Sequence, residues 1–458
     1  MKHSLFTLTV LAGLLSGCVN LAPNYSRPDM PVPAAVDGAK SSQTSAASVP
    51  KWQDLVVEER LKKVIQLALD NNRDLRIAGL DVDKARATYR ITNADRFPTV
   101  QASGSDTISK TSGSSINRSY TAEVGFSAYE LDFFSRLKNL SQADFESYLA
   151  TDATQRSTRL TLIAEVASDW LTLASDKQLL KLAKETYETR QKTLALTQKQ
   201  KELGGASALT LAQEEASAES AHDDVHSYTS QVEQDLNALT LLVGTGIPED
   251  LLPTDDDSLD NSVASLVNVP AGLSSDVLLQ RPDIISAEHT LKATYADIGA
   301  ARAAFFPKIS LTAEDGSTSS SLNNLFKAGT RTWSFAPSIS VPIFNGGSLR
   351  ASLDSAKIER DIQVATYEKS IQTAFEEVAN AMSVRKVLND RLEAQRKQVA
   401  AYEKALALTN ALFKAGSDSY LDVLDSQRSL YSAQQSLISL QLTEQTNRIT
   451  LFKVLGGS

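Results

Sequence analysis

One cysteine, three methionines and four histidines in 458 residues leave little material for metal or redox chemistry. The lone Cys18 excludes an internal disulfide and any zinc-thiolate cluster. Met1, Met30 and Met382 cannot make a thioether ladder for soft metal ions. Aromatics are only 6%, which suits long helices with modest cores. Acidic residues outnumber basic ones 55 to 46, so the basic footprint of a nucleic-acid partner is missing. No apolar run after Cys18 reaches the ~20 residues of a membrane-spanning helix, and any membrane segment must therefore be made of strands. No nucleophile elbow or phosphate loop is present, since Gly244-Thr245-Gly246 lacks the pattern that would follow. No catalytic residue and no cofactor is expected, and transport work needs an external energy source.

What is present begins with a processing signal. Lys2 supplies a positive start, Leu5 to Leu15 is apolar but too short to span a bilayer, and Leu15-Ser16-Gly17-Cys18 closes the stretch. Residues 1–17 are expected to be a signal peptide. The tetrad resembles a bacterial lipoprotein box, which implies lipidation at Cys18, and Val19 stands where an aspartate would resemble an inner-membrane retention signal. The proline-rich stretch within 18–50 reads as an irregular tether from the lipid.

The body of the chain is written twice. Asn71-Asn72-Arg73-Asp74-Leu75 and Arg96-Phe97-Pro98 return about 210 residues later as Gln280-Arg281-Pro282-Asp283-Ile284 and Phe305-Phe306-Pro307. Leu242-Val243-Gly244 returns as Val454-Leu455-Gly456. Two repeats, 51–244 and 281–458, are therefore expected, separated by a linker over 245–280. A duplicated unit presents equivalent faces and suggests pseudosymmetric packing.

Each repeat contains a hairpin. Trp333, Phe335, Pro337, Ile339 and Val341 alternate with Thr332, Ser334, Ala336, Ser338 and Ser340, and Ala122, Val124, Phe126 and Ala128 alternate with Thr121, Glu123, Gly125 and Ser127. Shorter alternations precede both, at Val100 to Ser103 and Ile309 to Glu314, so the hairpins span about 97–133 and 306–343, with turns at Ser109 to Asn117 and Gly316 to Ser321. Period two over segments of this length fits membrane barrel strands with one lipid face and one wet face. Four strands cannot close a barrel, because about eight is the minimum and open edges in hydrocarbon are costly. Several chains must share one. Three copies would supply twelve strands, although a dimer or tetramer satisfies the same argument.

Between the hairpins, Leu140 to Leu203 and Arg350 to Ala415 contain neither proline nor internal glycine breaks of a helix, and each predicts roughly 90–100 Å of helix if unbroken. Ile371, Val378, Arg385, Leu392, Val399, Leu406 and Phe413 form a seven-residue series, with Ala374, Ala381, Leu388, Gln395, Tyr402 and Thr409 three later. Leu430, Leu437 and Leu451 continue the habit, interrupted by Glu444. So polar a seam suits a ring of helices around solvent, with a solid bundle as the rival. Gly204 and Gly416 sit where the long helices must reverse, and Ser207 or Ser419 can cap the helix that follows. Only the second tip carries a charged pair: Leu421, Asp425 and Arg428 there match Leu209, Gln213 and Ala216 at the first.

Together these segments resemble the TolC/OprM-like outer-membrane factors, nearest in pattern to the OprM branch. The resemblance is carried by the lipobox with Leu21-Ala22-Pro23-Asn24-Tyr25, by Glu130-Leu131-Asp132-Phe133-Phe134, by Ile298-Gly299-Ala300-Ala301-Arg302, by Gly347-Ser348-Leu349-Arg350 and by Tyr420-Leu421-Asp422-Val423-Leu424-Asp425-Ser426-Gln427-Arg428. It implies a mixed α+β membrane protein, a homotrimer whose four strands per chain build a 12-stranded β-barrel in the cell outer membrane, continued by a 12-helix periplasmic α-barrel. It also implies a duct serving a periplasmic membrane-fusion adaptor and an inner-membrane resistance-nodulation-division pump. By the same likeness Leu421, Asp425 and Arg428 constrict the closed end, and Gly204, Ser207, Leu209, Gly416, Ser419 and Tyr420 are the expected adaptor contacts.

Two other readings remain. His222-Asp223-Asp224-Val225-His226 places imidazoles at i and i+4, as in a metallohydrolase, yet Asp223 replaces the required Glu and a third ligand is missing, since only His3 and His289 remain. A cation site at Asp255-Asp256-Asp257 competes with solvated loop charge. For cargo, the scarcity of methionine favours drugs and other organic solutes over a copper or silver duct of the same architecture.

Overall fold

A computed structural model describes residues 19–35, 51–255, 257, 259, 263–264, 273–417 and 419–457. Cys18, His3, Asp256 and residues 36–50 of the tether lie outside them. In chain order the elements are α1 (Trp52–Leu55), α2 (Glu59–Asn71), α3 (Arg73–Ala94), β1 (Gln101–Ser109), β2 (Asn117–Leu131), α4 (Arg136–Glu202), α5 (Ala208–Val243), α6 (Pro282–Ala303), β3 (Lys308–Ser319), β4 (Arg331–Ser340), α7 (Ser348–Lys414) and α8 (Tyr420–Val454), with short 3-10 turns between some of them. Both α4 and α7 run for 67 residues. The chain forms two compact units, the first from the described parts of Met1–Asp29, Leu80–Ala153 and Ile285–Ser370, the second from those of Met30–Gly79, Thr154–Ile284 and Ile371–Ser458.

The first unit holds the sheet. Its four antiparallel strands lie in the order β1-β2-β3-β4, so the two repeats meet at the β2–β3 ladder. Register sorts the residues by face. Phe126 is opposite Ala313 and Ala313 opposite Phe335, while Leu311 faces Pro337 and Ile309 faces Ile339. On the other face Glu314 lies between Gly125 and Ser334, and Ser310 meets Ser338 with hydroxyls 2.9 Å apart. One face is thus apolar and the other hydroxylic and acidic. Two details differ from expectation. The pairing shifts between Phe126 and Tyr129, where Ala128 takes φ 53, so β2 bends at a bulge that simple alternation does not reveal. The stretch Gly316 to Ser319, expected as a turn, continues β3 because Gly316 and Ser317 pair with Thr332 and Arg331, and Thr318 and Ser319 with Thr121 and Tyr120. The turn lies beyond Ser319.

An N-terminal strap packs onto α6 in the same unit. Val19 N–H donates to Phe133 O at 3.0 Å, Asn139 Nδ2 donates to Asn20 Oδ1 at 3.0 Å, and Arg302 donates to Leu21 O at 3.0 Å. Arg27 bonds Glu288 at 2.8 Å, and the Tyr25 ring meets Tyr295 edge-on. Gly299 admits this approach, because a Cβ there would stand 2.5 Å from Asn139 Nδ2 and 2.7 Å from Ala22 Cβ.

The second unit holds the better-packed core. Leu61, Val64, Ile65 and Ala68 of α2 are fully buried, the i, i+3, i+4, i+7 spacing of one helical face. Trp170 of α4 is buried with its indole N–H donated to Leu251 O at 3.1 Å. Arg60 takes Asp257 through two bonds of 2.9 and 3.0 Å. Burial pushes the Asp257 carboxyl up, and the Arg60 guanidinium overrides this and holds it below the usual carboxylate range. Asp257 is therefore an arginine partner, neither cation ligand nor solvated loop charge.

The sequence duplication reappears as a duplicated clasp. Asn72 Nδ2 donates to Leu242 O at 2.8 Å, and its repeat partner Arg281 donates through Nη1 to Val454 O at 2.9 Å. Each clasp ties the start of a repeat to its last helix. Gly244, with φ 78, is required here twice over, since a Cβ would also lie 2.6 Å from Asn71 O.

The seven-residue series of α7 is buried at Ile371, Val378, Leu392 and Val399, and at Ala374, Ala381 and Leu388, with Leu388 and Leu392 packed on Leu437 and Leu440 of α8. The polar breaks in the two series meet each other: Arg385 Nη1 lies 3.4 Å from Glu444 Oε1, and Arg448 bonds the same carboxylate at 2.7 Å.

Candidate functional site: the helical hairpin tips

In the second unit, α4 reverses into α5 and α7 into α8 through equivalent turns. Gly204 and Gly416 take φ 82 and φ 72, the left-handed conformation that ends a helix without a side-chain clash. Ser207 Oγ accepts from Thr210 N–H at 3.0 Å, while Ser419 and Asp422 form a capping box. These caps stop the long helices at defined positions. Exposed apolar side chains crowd the turns: Leu209 is 69% exposed, Leu421 is 59% exposed, and Leu203, which the sequence reading passed over, is 88% exposed. A large leucine directly before a reversal glycine was the available signal.

Asp425 and Arg428 pair within the chain at 2.6 Å, with both side chains mostly exposed. Gly204, Ser207, Gly416 and Ser419 are exposed, whereas Tyr420 turns inward against Phe413, ring centroids 5.0 Å apart. Its hydroxyl is aimed at Glu214 of α5 without completing a bond of ordinary geometry.

That inward turn exposes a cluster which sequence reasoning missed. Glu214 is buried, and so is Arg190 of α4, whose Nη1 donates to Ser217 O at 2.7 Å while its Nε lacks a partner. The Arg190 guanidinium lies over the Tyr431 ring of α8 at 5.9 Å, and the Tyr431 hydroxyl donates to Asp224 at 3.1 Å. Burial pushes the Glu214 carboxyl up and the Arg190 guanidinium down. The Tyr420 hydroxyl is raised by burial and by the facing carboxylate. Incompletely bonded buried charges hold α8 against the α4–α5 pair at considerable electrostatic cost. Charged residues on a helix read as solvated until the packing of three helices is known. Elsewhere on α4, Asp176 is pushed up to about 7 by burial and by the neighbouring Asp235 carboxyl.

A cleft of about 590 Å³ lies away from the tips between α4, α7 and α8, lined by Glu165, Asp169, Glu377 and Lys453 among others. No three His, Cys, Asp or Glu side chains among the described residues are grouped to hold a metal ion. His289 instead meets Glu146 at 2.7 Å. No described helix is long and apolar enough to cross a membrane.

The sequence profile of outer membrane efflux proteins matches residues 64–245 and 273–457. The chain is 45% identical over 469 residues to the probable efflux pump outer membrane protein TtgC of Pseudomonas putida, covering 100% of this chain and 96% of that one. It is 41% identical over 448 residues to the cation efflux system protein CusC of Escherichia coli, covering 97% of each. A crystal structure of CusC superposes with a TM-score of 0.88 at 41% identity, over 96% of this chain and 100% of that one.

Proposed function

Because this chain belongs to the outer membrane efflux protein family, we propose that three copies assemble into a passive exit duct of a tripartite efflux system. The protein is an outer-membrane channel component with a periplasmic extension. The observation that supports shared closure is the sheet: β1 and β4 each leave one edge unpaired among the described residues, and one face is apolar. Hydrocarbon tolerates neither an open edge nor unpaired backbone, so the sheet must be closed by other copies. Three sheets give a twelve-stranded barrel, and α4, α5, α7 and α8 from each chain give a twelve-helix periplasmic barrel. The apolar face meets lipid. The hydroxyl-rich face lines a wet lumen.

In this reading the tips form the periplasmic end. Leu421, Asp425 and Arg428 converge about the threefold axis as the constriction, and the periplasmic adaptor engages Gly204, Ser207, Leu209, Gly416 and Ser419, with Leu203 added and Tyr420 acting from within. A single exposed i, i+3 ion pair contributes only about 0.2–0.5 kcal/mol. Convergence of three copies on the axis makes its loss matter more, because three latches are released together. The purified protein is expected to have trimer mass and small resting conductance in a planar bilayer, and Asp425→Ala with Arg428→Ala should raise that conductance severalfold. Unchanged conductance would remove the latch, and a monomer without conductance would remove the duct.

Lipidation of Cys18 gives a separate expectation. Cys18→Ala should abolish incorporation of labelled palmitate while leaving the strap's bonds to α6 intact. Label retained in the variant would exclude this residue as the acceptor.

The cargo is proposed to be drugs and other organic xenobiotics, delivered by an inner-membrane resistance-nodulation-division pump. Likeness to a cation efflux protein favours a second reading, a copper or silver duct. The near absence of methionine weighs against it. Complementation of a duct-deficient strain challenged with organic solvent and with copper separates the two.

A further inference from the structure

The histidine pair that fails as a protease site has a geometry of its own. His222 and His226 stand one turn apart on α5, and their Nε2 atoms face each other at 3.1 Å. Two ring nitrogens at that distance cannot both carry a proton pointing inward, so at least one offers a lone pair to the space between them. Nitrogens bound at ~2.0–2.1 Å lie about 2.8–3.0 Å apart in adjacent positions of a tetragonal ion and about 3.3–3.4 Å apart at a tetrahedral one. The observed spacing falls between those two bites.

The His222 ring is also held in place. It stacks on Tyr187 of α4 with centroids 4.6 Å apart and planes inclined by 6°. Gln191 in turn donates to the Tyr187 hydroxyl. On the far side of the imidazole, Glu219 Oε2 lies 3.6 Å from Nδ1, too far for a direct hydrogen bond but near enough to supply a carboxylate behind the ring. A carboxylate behind a histidine is the usual outer partner of a metal-bound imidazole, because it fixes the tautomer and raises ligand basicity. The His222 side chain is 40% exposed, so an ion can reach it with water in its remaining positions.

We propose that His222 and His226 chelate a borderline divalent transition-metal ion, Cu(II) most tightly, with Ni(II) and Zn(II) following. Neutral imidazole suits these ions, and the order follows their general affinity for nitrogen donors. The site lies on α5 away from the residues of the tips, and its metal binding does not depend on the cargo of the duct. Two protein ligands make a surface chelate, which is why no protease chemistry follows from it.

The test uses the full chain, purified in detergent without a polyhistidine tag, titrated with Cu(II) alone and followed by calorimetry and electron paramagnetic resonance. One Cu(II) per chain should bind with splitting from two imidazole nitrogens, and His222→Ala or His226→Ala should each weaken binding at least tenfold and leave one nitrogen in the spectrum. The conservative change Asp223→Asn, outside the pair, should leave the isotherm unchanged. Isotherms for His222→Ala/His226→Ala that superimpose on the unsubstituted protein, or a spectrum without two nitrogens, would overturn the assignment.

Discussion

Phe335→Arg is expected to remove most of the assembled protein from the outer-membrane fraction, whereas Ser334→Arg, one residue away, should leave it there. Phe335 lies at the middle of β4, is 58% exposed on the isolated chain, and shares a face with Ala313 and Phe126. If that face meets lipid, an arginine at the barrel's mid-height costs about 2–4 kcal/mol per chain. Threefold repetition raises this to about 6–12 kcal/mol per assembly, comparable with the whole stability of an ordinary domain. Ser334 is on the opposite face beside Glu314, where its hydroxyl bonds the carboxylate at 3.3 Å. An arginine there meets an acidic neighbour in water. Membrane fractionation with a trimer assay on unheated gels reads both variants. Equal loss in both would show that the two faces do not divide lipid from lumen.

The second large effect is expected at Glu444→Ala, with a loss of about 3–5 kcal/mol of stability. The Glu444 side chain is 7% exposed and serves both Arg385 and Arg448, and Arg448 also donates to Ala264 O at 2.6 Å. Removing the carboxylate leaves two guanidinium groups without their anion, one of them with a side chain only 12% exposed. Replacing the pair together, Arg385→Met with Glu444→Leu, should recover only the part of the loss due to Arg385, because Arg448 stays buried without its anion. Loss of helix ellipticity on heating measures each. A double variant no better than Glu444→Ala would assign the effect to Arg448 and the loop it holds.

That pair illustrates how far the sequence could be read. The seven-residue series identified the buried side of α7 and marked Arg385 as its break, and the leucines of α8 marked Glu444 as theirs. Nothing along the chain states that the two breaks lie opposite one another, because this depends on the register between two separate helices. The clasps were closer to legible. The aligned repeats already matched Asn72 with Arg281 and Leu242 with Val454, and the structure adds that each residue of one set bonds the other. Strand positions followed from alternation, but the bulge near Ala128 and the extension of β3 through Ser319 did not. In both places ladder pairing with neighbours outweighed local preference. At the tips, glycine and serine announced the turns, while Arg190 and Glu214 looked like solvated helix charges until three helices enclosed them.

The strap has one more consequence. Val19 is bonded to the carbonyl of Phe133, two residues past the end of β2, and position 18 is its immediate chain neighbour. An acyl chain attached there could travel only a few ångströms from the rim of the sheet. Fatty tails and barrel would then share a single reference plane. A lipid at that position would act less as a leash than as a depth gauge, setting how far the strands sink into the bilayer.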